Sequence, residues 1–181
     1  MYYKRNESLE KILSGKTVIL VGPSPYLSGK ENGKLIDQYD IICRMNEVFP
    51  VGQANDYGSR TDIAFLNCAT VSVTDYVYKM RESCEVAENM KYIICSVIKV
   101  QHDWKGSVEE NGNIINIFGI PFYNIDKESY DNFYNMVGVE PNTGILSIMI
   151  LLQYSISKLF ITGMTFYSEF IGINLKQFSR R

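Results

Sequence analysis

Apolar and β-branched residues recur along the chain in short runs: Thr17–Gly22, Tyr39–Arg44, Asp62–Leu66, Tyr92–Ile98, Ile114–Phe118 and Lys158–Thr162. Runs of this length, bounded by polar residues, Gly or Pro, predict β-strands. Helical spacing fills some of the intervals. The segment 74–89 places Tyr76, Val77, Met80, Cys84 and Ala87 on one apolar stripe, and Asp126–Val137 repeats the pattern through Tyr130, Phe133, Tyr134 and Val137. Asn142–Ser155 is apolar nearly all round, which predicts a helix buried between a sheet and other elements. Strands that are apolar throughout and alternate with helices predict a mostly parallel sheet with helices on both faces, a Rossmann-like α/β sandwich. Ligands of such sheets sit beyond the C-terminal ends of the strands, so the residues following each strand are where function is sought.

Composition narrows the reading. No repeat, low-complexity tract or long linker divides the 181 residues, so one domain over 1–181 is expected. A net charge of -2 supplies no basic field for phosphodiester backbones and argues against nucleic-acid binding. The longest apolar stretch, Ile145–Leu152, falls well short of the ~20 residues of a membrane span. The N-terminus has no cleavable apolar region, which predicts a cytoplasmic protein. Cys43, Cys68, Cys84 and Cys95 are widely spaced and accompanied by one His, so they read as buried or half-buried thiols instead of metal ligands.

The strand ends carry the candidate chemistry. After the first predicted strand comes Gly22-Pro23-Ser24-Pro25-Tyr26-Leu27. Gly22 permits a tight turn and close approach to a ligand, and Ser24 with the following amides suits a phosphate; the same hexapeptide also reads as a turn and nothing more. Neither a P-loop nor the dinucleotide pattern G-x-G-x-x-G fits it. Asn46 and Asn67 follow the second and third strands, where a carboxamide suits a ribose hydroxyl, a base edge or a phosphate oxygen, or serves as a turn or cap residue. Pro141-Asn142-Thr143-Gly144 opens the last helix with a cap, free N–H groups and the positive end of a dipole, which favour an anion; ordinary capping explains the same residues. Tyr167, beyond the last strand, is either packing or a phenol donor to the same cleft. No D-x-D occurs, so a transferase on this scaffold is expected to use a donor that needs no metal.

Taken together, Gly22–Leu27, Gly33–Asp37, Asp40, Arg44–Asn46, Pro50–Gly52 and Asp56–Thr61 resemble the large sialylmotif of the sialyltransferases of animals, plants and some microbes. Pro141–Leu146 followed by Gly163 resembles the small sialylmotif. A bacterial sialyltransferase family is similar in outline, its strand-end Asn residues corresponding to Asn46 and Asn67, its helix start to Asn142-Thr143-Gly144 and a phosphate-contacting Tyr to Tyr167.

The resemblance implies a GT-A-variant-like, metal-independent inverting transferase with no cofactor. Its donor is a CMP-sugar, carrying sialic acid or a related sugar such as Kdo, and its acceptor a glycan hydroxyl. Gly22, Ser24, Asn46, Asn67, Asn142, Thr143 and Gly144 would then hold the donor nucleotide, with Tyr167 neutralising the departing phosphate. Arg44 and Asp56 read as braces for the loops that shape the cleft.

Three departures accompany the resemblance. The families place a general-base His after the small motif, whereas no His follows Gly163 here and the chain ends at Arg181, so a missing C-terminal segment is expected. His102 and Glu169 are the candidate bases left. Pro23 stands where the large motif has its first Asn, and Thr17 and Ile156 lie near the places of the Cys pair that links the motifs in secretory enzymes, which fits a reducing compartment. The rival expectation is a truncated or degenerate, non-catalytic nucleotide-binding protein of the same fold.

Overall fold

The computed structural model describes residues 3–46, 52–67, 78, 80, 89–96 and 119–165. Six strands, β1 (Thr17–Val21), β2 (Ile41–Met45), β3 (Ile63–Leu66), β4 (Tyr92–Cys95), β5 (Phe122–Asn124) and β6 (Lys158–Thr162), form one sheet in the order β5-β4-β3-β2-β1-β6. Every ladder in it is parallel. The helices are α1 (Glu7–Leu13), α2 (Gly33–Ile36), α3 (Ala54–Tyr57), α4 (Lys127–Val137) and α5 (Thr143–Leu151), with a single 3-10 turn at Pro25–Leu27. None of the helices among the described residues is long and apolar enough to cross a membrane.

Alternation along the strands divides the core into two layers. Val18, Leu20, Ile41, Cys43, Met45, Ile63, Phe65 and Ile94 face Leu9 and Leu13 of α1, Phe133 of α4 and Leu146 and Ile150 of α5. On the other face Ile19, Val21 and Ile42 pack against Leu27, Ile36 and Tyr57. Both faces of the sheet are therefore covered, as apolar strands of this kind require. The helix ends follow local chemistry. Asn6, Asp126 and Asn142 each accept a backbone N–H of the first turn, and α4 stops at Gly138 in the left-handed conformation.

Most expected elements stand close to their places. The helix expected over Asn142–Ser155 is shorter: Asn142 is its N-cap, Leu151 its last residue and Leu152 its C-cap. β5 and the short helices α1, α2 and α3 were not anticipated. The strand expected at Ile114–Phe118 and most of the helix expected over 74–89 lie outside the described residues, as do Cys68 and Cys84. Cys43 is a buried free thiol, and Cys95 is buried as well.

Polar residues of the large motif fasten the loops between strands. Asp37 accepts the Ser59 N–H at 2.9 Å and its hydroxyl at 2.9 Å, while Asp56 accepts the N–H groups of Gly29 at 2.7 Å and Glu31 at 2.9 Å. Those backbone bonds hold the Asp56 carboxyl below its ordinary range. The α2 and α3 loops are thus clamped to each other in both directions. Asp62, 2% exposed at the side chain, accepts the Ile42 N–H at 2.9 Å and pairs with Arg60 at 3.1 Å and Lys91 at 2.8 Å. Asp62→Ala strands the Ile42 N–H and both cations at the start of β3, so urea unfolding is expected to show a loss of about 3 kcal/mol.

Candidate functional site at the β1–β6 switch

From β1 the chain steps outward through β2, β3, β4 and β5, then returns to place β6 on the opposite side of β1. At such a reversal, beyond the C-terminal ends of the strands, parallel α/β sheets take their ligands. A cavity of about 330 Å³ opens there, lined by Ser24, Tyr26, Thr162, Gly163, Met164 and Thr165.

The two resembling motifs meet at this crevice through backbone. Gly163, at φ +64°, lies so close to Gly22 that a Cβ on it would stand 2.7 Å from the Gly22 oxygen and 2.8 Å from Leu27 Cδ1. A Cβ on Gly22 would in turn stand 2.4 Å from the Gly163 oxygen. The Gly22 N–H donates to Thr162 O at 2.8 Å, and the Ser24 N–H to Gly163 O at 2.8 Å. The close approach that Gly22 permits is thus to the neighbouring strand end. Gly144 extends the same contact, its vacant Cβ position lying 2.6 Å from Met164 Cε and 3.3 Å from Met45 Sδ.

Each polar candidate uses its oxygen internally. Ser24, 6% exposed, caps the 3-10 turn by accepting the Tyr26 N–H at 3.1 Å. Asn46 adopts φ +50°, and its Oδ1 accepts the Asn67 N–H at 3.1 Å, joining the ends of β2 and β3. The Asn142 Oδ1 accepts the Ile145 N–H at 2.9 Å. A backbone N–H must meet an acceptor, so these bonds fix both carboxamides with oxygen inward. Each carboxamide then keeps its Nδ2 group and a second oxygen lone pair, and Ser24 its hydroxyl proton, for further partners. Thr143, half-buried, begins α5, and its carbonyl accepts the Ser147 hydroxyl at 2.7 Å. The Nδ2 and Ser24 hydroxyl donors, with the free N–H groups of the α5 N-terminus, suit an anionic ligand.

Gly22, Ser24, Asn46, Asn67, Asn142, Thr143 and Gly144 all stand at the C-terminal ends of strands or at the start of α5, along one edge of the sheet. His102, Tyr167 and Glu169 lie outside the described residues. Arg44 and Asp56 act as braces. Arg44 is 1% exposed and spends its guanidinium on Tyr57 O at 2.7 Å, Arg60 O at 2.9 Å and Thr61 Oγ1 at 3.0 Å. Sequence reasoning passed over Tyr26, Thr162 and Thr165 of the cavity wall, and Ser96 after β4, a fully buried hydroxyl that finds no hydrogen-bond partner among the described residues. The expected strand Tyr92–Ile98 ran past Ser96, so its place after the strand became visible only with β4 ending at Cys95.

The chain is thus a doubly wound parallel α/β protein with a crevice at its switch point. The profile of glycosyltransferase family 29 (sialyltransferase) matches residues 5–134, and the chain belongs to that family. The matched span takes in the large-motif residues, while Asn142, Thr143 and Gly144 lie beyond it. The chain is 28% identical over 149 residues to the chicken (Gallus gallus) CMP-N-acetylneuraminate-beta-galactosamide-alpha-2,3-sialyltransferase 1, a match covering 74% of this chain and 40% of that protein. It thus spans less than half the length of that curated relative. Two crystal structures of a mammalian sialyltransferase, one of them in complex with Gal-beta-1-3GalNAc-ortho-nitrophenol, share the fold at a TM-score of 0.56 and 19% identity. They cover 89% of this chain, which covers 59% and 60% of theirs.

The glycine contact is testable apart from backbone strain. Gly29 also has positive φ, +71°, but its Cβ position is open. Gly29→Ala is expected to cost about 1 kcal/mol and Gly163→Ala at least about 2 kcal/mol more, measured by urea unfolding.

Proposed function

We propose that this chain supplies the donor-binding part of a metal-independent inverting glycosyltransferase. The donor is a CMP-activated sugar, sialic acid or a relative such as Kdo, and the acceptor a glycan hydroxyl. The observation that carries the reading is the row of N–H and O–H donors that Ser24, Asn46 and Asn142 keep along one strand-end edge, in a chain of family 29. A CMP-sugar brings a phosphate and, for sialic acid or Kdo, a carboxylate, both of which need hydrogen-bond donors and neither of which needs protein acceptors.

In the transfer, a base takes the proton of the acceptor hydroxyl as its oxygen bonds to the anomeric carbon. The bond from that carbon to the CMP phosphate oxygen breaks, and its electron pair leaves with CMP. Donors aimed at the departing phosphate stabilise the charge that grows there, which is the work a divalent cation does for diphosphate donors. Asn46, Asn67, Asn142 and the N–H groups of Thr143 and Gly144 are assigned to that task, with Tyr167 as a further donor. His102 and Glu169 are the residues to test as base. Cys43 as a buried free thiol, with Thr17 and Ile156 near the places of the family's Cys pair, supports a reducing, cytoplasmic setting.

Calorimetric titration with CMP, with UMP and NAD as controls, tests the reading. Selective CMP binding is expected, weakened by Asn46→Ala through loss of a hydrogen bond of about 1–3 kcal/mol. Absence of binding to all three nucleotides overturns it, and CMP binding without turnover of a CMP-sugar identifies the non-catalytic alternative. Sugar transfer is expected to persist in EDTA; loss of turnover restored by magnesium refutes the metal-free mechanism.

A further inference from the structure

The 3-10 turn after β1 holds consecutive side chains in opposite environments. Leu27 is 1% exposed and sits in the core layer beneath the turn, whereas Tyr26 is 63% exposed and forms part of the cavity wall. The turn is fixed before any ligand arrives. Pro25 opens it, Ser24 caps it, the Tyr57 hydroxyl donates to Ser24 O at 3.1 Å, and the Ser24 N–H is bound to Gly163 O. The Lys30 ammonium lies over one face of the Tyr26 ring, 5.2 Å from its centroid, so the other face remains for a planar partner. A rigidly mounted aromatic on a cavity rim, backed by a cation, is suited to a ligand that joins an aromatic ring to an anion.

We propose that Tyr26 is the stacking platform for the nucleobase of the donor and that Lys30 draws the adjoining phosphate. This rests on the nucleotide-sugar reading above and adds to it a division of labour. Stacking accepts any base, so Tyr26 contributes affinity common to nucleoside and nucleotide, and the carboxamides of Asn46 and Asn142 act at the phosphate. Lys30 adds affinity only where a phosphate is present.

The experiment titrates wild type, Tyr26→Ala, Tyr26→Phe and Lys30→Met with CMP and with cytidine, followed by NMR. Tyr26→Ala is expected to weaken CMP and cytidine alike, by about tenfold, and Tyr26→Phe to stay within about twofold of wild type. Lys30→Met is expected to weaken CMP several-fold and leave cytidine nearly unchanged. Because Tyr26 is exposed, Tyr26→Ala should retain the wild-type thermal midpoint, which separates loss of stacking from loss of fold. Wild-type binding of CMP that Tyr26→Ala leaves unchanged, or weakening confined to CMP, overturns the stacking role while the nucleotide reading stands. Wild-type failure to bind either ligand overturns the nucleotide reading itself, and the role of Tyr26 falls with it.

Discussion

A buried guanidinium organises the ligand end of this sheet. Arg44 projects from β2 into the layer occupied by Ile19, Val21, Ile42 and Tyr57, where an unpaired cation would cost several kcal/mol. Desolvation lowers its pKa to about 10, so it stays charged at neutral pH and must find acceptors. It finds them in the carbonyls of Tyr57 and Arg60 and the Thr61 hydroxyl, which fixes the segment between α3 and β3. From Tyr57 the constraint runs on: its phenol holds Ser24 O, and the Ser24 N–H holds Gly163 O at the end of β6. Four segments distant in sequence are tied to one charge. The cavity wall is the last member of that chain.

The large motif is therefore mostly architecture. Its carboxylates bind backbone N–H groups of neighbouring loops, Asp37 at Ser59 and Asp56 at Gly29 and Glu31. Such bonds use the strongest acceptors available to satisfy amides that no strand or helix can serve. A motif dominated by Asp, Gly and Arg thus specifies loop shape first, and the few residues left to face a ligand inherit their positions from it. The Thr17–Asp40 contact serves the far end of β1 and β2 in the same way, the Thr17 N–H donating to Asp40 at 2.8 Å.

Much of this was legible in the sequence because burial leaves a pattern. Strands buried on both faces read as apolar runs, and β1 and β3 lie within theirs almost to the residue, as does the largely exposed edge strand β6. β5 was missed because it is three residues long and half-exposed, too short to show alternation. Strand-end position and carboxamide chemistry located Asn46 and Asn67. What no local pattern could reveal was the partner of Gly22: its close neighbour is the backbone of Gly163, brought there only when β6 pairs with β1. The places of the family's Cys pair tell a similar story. Near Thr17 and Ile156 the chain is joined by backbone bonds, Gly15 N–H to Ser155 O and Ser157 N–H to Lys16 O, both 2.8 Å, so ordinary ladder chemistry holds the two motifs in register.

The carboxamides of Asn46 and Asn142 are each held in one direction. Had they been free to turn, each would offer either its oxygen or its nitrogen outward. With both oxygens committed to backbone amides, turning either one would leave a backbone N–H unsatisfied at a cost of about 1–3 kcal/mol. The Nδ2 donors are therefore held in place before any partner arrives. For the CMP-sugar proposed above, preorganisation of that kind would favour the state with the most negative charge on the phosphate, the departing CMP and not the bound donor.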